Sequence, residues 1–240
     1  MKPYYSQSGI TIYHGDCREV LPTLDPVDLI LTDPPYLTND SRVPVGGGHA
    51  GPVYEETESV GLPWGYSLDW IDLCPTTSHW VVFANYRMLG GLCSRLDPST
   101  VFVWRKVNAP RMTRPVPRLD CEFIVWSRSK EASCEDMGKF ESMVLDVPAP
   151  QAGCFATERI LAPDSKKAAH PCQKPLAVVQ PFIERLHPKS VLDPFLGTGT
   201  TALAAKLAGC QFVGCEIEER YCEISANRLR QEVLLMEVAQ

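Results

Sequence analysis

Short apolar runs recur along the chain, and Gly, Pro, Asp and Ser residues separate them. Residues 27–31, 80–83 and 100–104 are nearly continuous in apolar character, which is typical of buried strands. Residues 10–13 alternate between apolar and polar positions, which predicts a strand with one exposed face. Further strands are predicted at residues 121–126, 189–193 and 210–216.

Helical patterns lie between these strands. Residues 68–73 and 202–208 are predicted to be helical, and residues 218–238 form an amphipathic pattern that predicts a long final helix. Residues 18–21 predict a short helix, for which Asp16 is a suitable N-cap. Alternating strands and helices predict an α/β fold with a mostly parallel sheet flanked by helices.

Two segments lack any sustained period. Residues 37–65 are rich in Gly, Pro and Ser and are predicted to form an irregular lid or binding loop. Residues 127–164 are predicted to be irregular and to form a recognition lobe. We therefore expect one domain over residues 1–240, with insertions at 37–65 and 105–165.

The strand at residues 27–31 leads into Asp33-Pro34-Pro35-Tyr36. Two prolines end the strand and stiffen the backbone just past its carboxyl end, where open α/β sheets bind ligands. Asp33 and the Pro34 carbonyl can accept hydrogen bonds from an amino group, and Tyr36 can stack on a ring. A proline-rich turn that merely closes a strand is the alternative.

A second strand end carries a glycine turn. Residues 189–193 lead into residues 194–201, where Gly197 and Gly199 allow close approach to a ligand and precede a helix. Glu216 follows the next strand, about 17 positions after Gly199, near the offset of roughly 20 at which an acid holds ribose hydroxyls. This unit predicts nucleoside binding. No P-loop lysine follows the glycines, whereas Ala202 at the third glycine position leaves a nicotinamide cofactor open.

The composition excludes some classes of site but does not by itself indicate a function. The chain has 240 residues, a net charge of −6 and ten cysteines, whose spacings fit no zinc site. With no secretory signal, reduced thiols are expected rather than a disulfide framework. Without an apolar N-terminal segment, the expected location is the cytoplasm. One basic, proline-rich stretch stands out and suggests phosphate contact, with ordinary solvated surface as the alternative. Its basic residues are Arg105, Lys106, Arg111, Arg114 and Arg118.

Three motifs together resemble a known family. Residues 33–36 (DPPY), 170–175 (HPCQKP) and 193–200 (DPFLGTGT) are similar to the motifs of the S-adenosylmethionine-dependent amino DNA methyltransferases. The catalytic motif precedes the cofactor motif, which is the circularly permuted order of the β class. Residues 15–17 and 221–229 add weaker similarities, while Cys172 stands where the family commonly has Thr.

This resemblance implies a permuted Rossmann-like methyltransferase sheet with a small irregular recognition lobe. It implies direct transfer of a methyl group from S-adenosylmethionine to the exocyclic amine of a flipped base. The implied catalytic residues are Asp33, Pro34, Pro35 and Tyr36. With DNA as the implied substrate, the candidates for DNA contact are the five basic residues named above and the insertions at 37–65 and 105–165. The implied cofactor-binding residues are Asp16, Cys17, Asp33, Gln173, Lys174, Asp193, Phe195, Gly197, Thr198, Gly199, Thr200, Thr201 and Glu216.

Within this family, Asp33 at the first motif position favours adenine N6. Methylation of cytosine N4 or of RNA is the nearest alternative, and a non-catalytic nucleoside-binding module is a second. DNA is the expected partner, and by analogy with related enzymes a homodimer is possible. No metal and no membrane association are expected.

Overall fold

The computed structural model describes residues 1–35, 43–48, 51–55, 68–109, 120–132, 139–150 and 173–238. The strands are β1 (Tyr5–Gln7), β2 (Ile10–His14), β3 (Val27–Thr32), β4 (Val43–Gly48), β5 (Gly51–Glu55), β6 (Thr77–Ala84), β7 (Thr100–Arg105), β8 (Cys121–Arg128), β9 (Val144–Asp146), β10 (Ser190–Asp193) and β11 (Gln211–Glu216). The α-helices are α1 (Cys17–Val20), α2 (Tyr86–Leu96), α3 (Leu176–Leu186), α4 (Thr200–Leu207) and α5 (Glu219–Val238), and short 3₁₀ helices lie at Leu21–Thr23 and Asp69–Leu73.

Nine of these strands form one sheet in the order β1-β2-β11-β10-β3-β6-β8-β7-β9. The central neighbours β2, β11, β10, β3 and β6 are parallel, whereas β8 runs antiparallel to β6 and to β7. Strand β3, from the first part of the chain, therefore pairs with β10, from the last third. The predicted α/β class with a mostly parallel sheet is confirmed.

Helices cover both faces of the sheet. Side chains on a strand alternate between the two faces, so neighbouring residues of one strand pack in different clusters. Leu29 and Leu31 belong to the larger core cluster, which includes apolar residues of α3, α4 and α5. Ile30, which lies between them, instead packs in a cluster with Cys17 and Val20 of α1. A third cluster contains Met88 and Leu92 of α2. Burial on both faces accounts for the continuous apolar run of β3.

The structure corrects the prediction that residues 37–65 are irregular throughout. Strands β4 and β5 pair as an antiparallel hairpin with a register shift between Val45 and Gly47. Glycine and proline are poor strand formers, so this pairing leaves no alternating apolar pattern in the sequence. Likewise, β9 lies within the predicted irregular segment 127–164, where it adds a short edge strand parallel to β7.

In the part of the chain that the structure describes, no helix is both long and apolar enough to span a membrane.

Candidate active site

The two predicted ligand-binding strand ends lie side by side. Strand β3 pairs in parallel with β10, with Leu29 opposite Val191 and Ile30 opposite Leu192. Beyond this register, the Thr32 hydroxyl donates a 2.6 Å hydrogen bond to Asp193 Oδ1. The residues after Thr32 and those after Asp193 therefore leave the sheet at the same edge, where parallel sheets bind ligands.

Asp33 makes an ion pair with Lys174, which lies just before α3. The Lys174 side chain is 6% exposed, and its ammonium contacts Asp33 Oδ2. The same ammonium lies 3.3 Å from Glu122 Oε2 and 5.3 Å from the centroid of the Phe83 ring. The backbone of Lys174 is also held, because the Thr200 hydroxyl donates to its carbonyl at 3.0 Å. A buried ammonium between two carboxylates thus borders the end of β3.

The glycine turn adopts a conformation that favours glycine. Gly197 and Gly199 have φ angles of +54° and +81°, and α4 begins at Thr200, two residues before the predicted start. A Cβ on Gly199 would lie 2.8 Å from Ser225 Oγ, whereas a Cβ on Gly197 would have no neighbour within 4 Å. The turn therefore packs closely on α5 at Gly199 and leaves open space at Gly197.

Helix α5 holds this turn in place through two polar side chains. The Ser225 hydroxyl donates to the Gly197 carbonyl at 2.9 Å. The Arg228 guanidinium donates to the Thr200 hydroxyl at 3.1 Å and lies 3.4 Å from the Thr198 carbonyl. Sequence patterns did not indicate these two supporting roles, because they join segments far apart along the chain.

Glu216 lies at the end of β11 and accepts hydrogen bonds from the turn. Its Oε2 accepts from the Gly197 N–H at 2.8 Å, and its Oε1 accepts from the Glu218 N–H at 2.9 Å. Burial raises the pKa of the Glu216 carboxyl, although these backbone donors oppose the shift. Two carboxylate oxygens have about four lone pairs, so Glu216 retains acceptor capacity for ribose hydroxyls.

Asp193 is buried beneath the two strand ends. Its Oδ1 accepts from the Thr32 hydroxyl and, at 3.0 Å, from the Phe195 N–H. Burial raises the pKa of Asp193 to about 6, while hydrogen bonds from Thr32 and Thr201 act in the opposite direction. Asp193 and Thr201 therefore fix the backbone of the turn, and their predicted contacts with a cofactor remain predictions.

Residues 16 and 17 lie beside the end of β11. The Gly15 N–H donates to the Glu216 carbonyl at 2.9 Å. As predicted, Asp16 caps a short helix, with its carboxylate accepting from the Arg18 N–H at 2.9 Å. The Cys17 side chain is buried in a core cluster, and burial raises the pKa of its thiol to about 12. Contact of Asp16 and Cys17 with a purine ring remains a prediction.

Two of the five basic candidates for DNA contact are described, and both are in ion pairs. Arg105 pairs with Asp146, and both side chains are about half exposed. Lys106 lies 2.5 Å from Glu122 Oε1 and 5.0 Å from the Trp104 ring centroid. Tyr36, Arg111, Arg114 and Arg118 lie outside the described residues, as do most of the insertion 37–65 and residues 151–172.

The described site residues form a set that fits S-adenosylmethionine. Lys174 supplies a cation for a carboxylate, Glu216 supplies acceptors for ribose hydroxyls, and the turn leaves open space at Gly197. Gln173 and Phe195 border the same elements, with Gln173 buried and Phe195 packed edge-on against Trp70 at 5.2 Å. Across the residues that are described, His, Cys, Asp and Glu side chains form no group suited to a metal ion.

Comparison with protein families gives a match over most of the chain. The family model N6_N4_Mtase, described as DNA methylase, matches residues 27–227. Among curated proteins, the Type II methyltransferase M2.LlaDCHI of Lactococcus lactis subsp. cremoris is 26% identical over 95% of this chain and 92% of its own length.

Solved structures of methyltransferases share the fold. The complex of M1.HpyAVI with SAM is 27% identical, has a TM-score of 0.60 and covers 90% of this chain and 98% of its own. PvuII DNA methyltransferase, described as cytosine-N4-specific, has a TM-score of 0.63 over 94% of this chain and 88% of its own. At 17% identity, the PvuII enzyme shows a common fold alone.

Proposed function

Because the chain belongs to the N6/N4 DNA methylase family, we propose that it methylates the exocyclic N6 of adenine within a specific DNA sequence. S-adenosylmethionine is its cofactor. The observation that carries the proposal is the adjacency of the β3 and β10 ends, which brings Asp33 beside the glycine turn.

The cofactor residues divide into three roles. Lys174, with Gln173, would hold the methionine carboxylate, and Glu216 would accept from the ribose hydroxyls. The turn at residues 195–201 would surround the methionine part, with Asp16 and Cys17 at the adenine edge. When bound, S-adenosylmethionine supplies a methyl group that its sulfonium already activates for transfer.

The catalytic motif would bind and orient the amine. An exocyclic amine inside a duplex is out of reach, so the target base is flipped at a cost of roughly a few kcal/mol. Tyr36 stacks on the base, which contributes about 1–3 kcal/mol. Asp33 and the Pro34 carbonyl accept the two N–H bonds, which favours a tetrahedral nitrogen with its lone pair directed at the methyl donor. On methylation the amine would lose one N–H proton, which Asp33 or solvent would accept. Alignment supplies much of the rate without a covalent intermediate.

Cytosine N4 is the second candidate target. Adenine and cytosine both present an exocyclic amine with two N–H bonds, which Asp33 and the Pro34 carbonyl would accept equally well. An enzyme of the same fold is described as cytosine-N4-specific. Asp33 at the first motif position favours adenine, because the family resemblance associates that residue with N6.

The DNA contacts are proposed for the basic stretch and the insertion at 37–65. At Arg105 and Lys106, DNA phosphate would compete with the ion pairs to Asp146 and Glu122. Phosphate contacts release counterions, so DNA affinity should fall steeply as salt rises. An affinity that does not change with salt would indicate that this basic stretch is ordinary solvated surface and makes no phosphate contacts.

Base mapping tests the proposal directly. The purified protein is incubated with labelled S-adenosylmethionine and unmethylated genomic DNA, and the modified bases are then mapped. N6-methyladenine within one short sequence is the expected product. N4-methylcytosine would establish the second candidate, label on RNA alone would indicate an RNA substrate, and no label on any nucleic acid would contradict the proposal.

A further inference from the structure

Glu122 is an acidic residue of the candidate active site to which the predicted chemistry gives no role. It lies near the start of β8, which runs antiparallel to β6 with Phe123 opposite Ala84. Strands β3 and β6 are parallel, so the start of β8 lies at the same edge as the ends of β3 and β6. Sheet topology therefore brings Glu122 to the edge that carries Asp33.

Four charged side chains alternate in sign at this edge. Asp33 contacts Lys174, Lys174 lies 3.3 Å from Glu122 Oε2, and Lys106 lies 2.5 Å from Glu122 Oε1. Each ammonium thus has its own oxygen of Glu122. The Lys174 and Glu122 side chains are only 6% and 13% exposed, so each requires an opposite charge nearby to offset its lost hydration.

The proposed reaction requires Asp33 and Lys174 to exchange partners. Asp33 must accept an N–H bond from the target base, and Lys174 must hold the methionine carboxylate. In the structure, these two side chains instead contact each other. An ammonium as buried as that of Lys174 gives up one carboxylate at low cost only if another stays close.

We propose that Glu122 is a positioning residue that retains Lys174 in the site while Asp33 turns to the substrate amine. This inference rests on the proposed function. Glu122 holds the ammonium from the β8 side, so Lys174 stays in place when its contact with Asp33 opens. Without the Glu122 charge, Lys174 is drawn toward Asp33, and the carboxylate that orients the amine is occupied.

A Glu122→Gln substitution separates binding from turnover. It keeps the shape of the side chain and removes the charge. We expect kcat, measured with saturating DNA and S-adenosylmethionine, to fall by about 10-fold or more, while KM for the cofactor stays within about threefold. Cofactor affinity is retained because the charged Lys174 ammonium would contact Asp33 and the methionine carboxylate together, and what is lost is the Asp33 oxygen that orients the amine. The matched control is Glu184→Gln, an exposed position on α3, which should leave both constants within about twofold of wild type.

A double-mutant cycle with Lys174→Met distinguishes positioning from a general structural role. If Glu122 acts through Lys174, adding Glu122→Gln to Lys174→Met should change the single-turnover rate by less than about threefold. If Glu122→Gln does not fold, Glu122→Asp takes its place in the cycle, since it keeps the charge but shortens its reach. Where both fold, Glu122→Asp should turn over faster than Glu122→Gln.

Three results would overturn the inference: wild-type kcat in Glu122→Gln, an equal loss in both backgrounds of the cycle, or equal kcat values for the Asp and Gln variants. A wild-type protein that methylates no nucleic acid would instead remove the proposed function, so the two failures are distinguishable.

Discussion

The Thr32 hydroxyl donates a 2.6 Å hydrogen bond to Asp193 Oδ1 and thereby joins the last residues of two neighbouring parallel strands. Asp33 follows the first of these strands, and the glycine turn follows the second. This buried contact therefore adds to the β3–β10 pairing and joins the two strand ends that the catalytic motif and the cofactor turn follow. Burial raises the pKa of Asp193 to about 6, which makes this contact sensitive to pH.

Asp193 should make folding less favourable as the pH rises. Its pKa in the folded protein is about 6, above the ordinary value of 3.8, so the folded state binds the proton more tightly. The resulting stabilisation is fully present below pH 3.8 and is lost as the pH rises through about 6. At neutral pH, the loss amounts to about 3 kcal/mol.

Asp193→Asn removes this titration. We expect the free energy of unfolding of the variant, minus that of wild type, to increase by up to about 3 kcal/mol between pH 4 and pH 7.5 in urea titrations. Asp25→Asn, an exposed change before β3, is the control in the same titrations. A difference for Asp193→Asn that does not change with pH would mean that Asp193 titrates normally.

The two glycines at Gly199 and Gly209 give a matched pair for testing the turn. Both have positive φ angles, +81° and +72°. A Cβ at Gly199 would lie 2.8 Å from Ser225 Oγ and 3.3 Å from Ser225 Cα, whereas a Cβ at Gly209 would meet nothing within 4 Å. Alanine at Gly209 therefore carries backbone strain alone, and alanine at Gly199 adds a clash with α5.

We expect Gly209→Ala to lower the free energy of unfolding by about 1–2 kcal/mol. Gly199→Ala should lower it by a further 1–3 kcal/mol or so, since α5 must shift. Urea unfolding of both variants at one pH measures the difference. Equal losses would show that α5 yields to the added methyl group without cost.

Much of the fold was predictable because the central strands are buried on both faces. The sequence of strand β3 is a nearly continuous apolar run, and Pro34 and Pro35 follow its end. Helices α2 and α3 were not predicted, for local reasons. Two adjacent glycines interrupt α2, and Pro181 lies inside the largely apolar α3, so neither shows a clear helical period.

Side chains that act between distant segments left no signal in the sequence. Motifs that contain prolines indicated Asp33 and Lys174, and the offset from Gly199 indicated Glu216. Glu122 is a single acid at the start of a strand, and its contact with Lys174 depends on sheet order. Such a role becomes visible only when the antiparallel pairing of β8 is known.

Glu216 should control cofactor affinity more than stability. Its two oxygens accept from the Gly197 and Glu218 N–H groups, and glutamine offers only one acceptor oxygen. Glu216→Gln should weaken S-adenosylmethionine binding by about 10- to 100-fold, since it loses charge-assisted acceptors for ribose and loosens the turn. Calorimetric titration measures this affinity.

The control for this measurement is Glu219→Gln, an exposed change in the first turn of α5. It removes the same charge three residues further along the chain, and the dissociation constant should stay within about twofold of wild type. If both variants bind the cofactor as wild type does, Glu216 is not the ribose-binding acid.

Asp33 should be required for methyl transfer and nearly dispensable for cofactor binding. Asp33→Ala removes the acceptor that orients the amine, so kcat should fall by at least about 100-fold. Lys174 keeps its contact with Glu122, so its ammonium stays available to the methionine carboxylate. The dissociation constant for S-adenosylmethionine should therefore change by less than about tenfold.

Radiolabel transfer and calorimetry on the same preparation measure both quantities, with Asp25→Ala as the matched surface control. A variant that keeps most of its activity would contradict the role of Asp33 as the amine acceptor. Loss of cofactor binding together with activity would show instead that the Asp33–Lys174 pair holds the cofactor site open. Comparing the loss of kcat with the loss of cofactor affinity therefore shows whether Asp33 acts on the substrate amine or on the cofactor site.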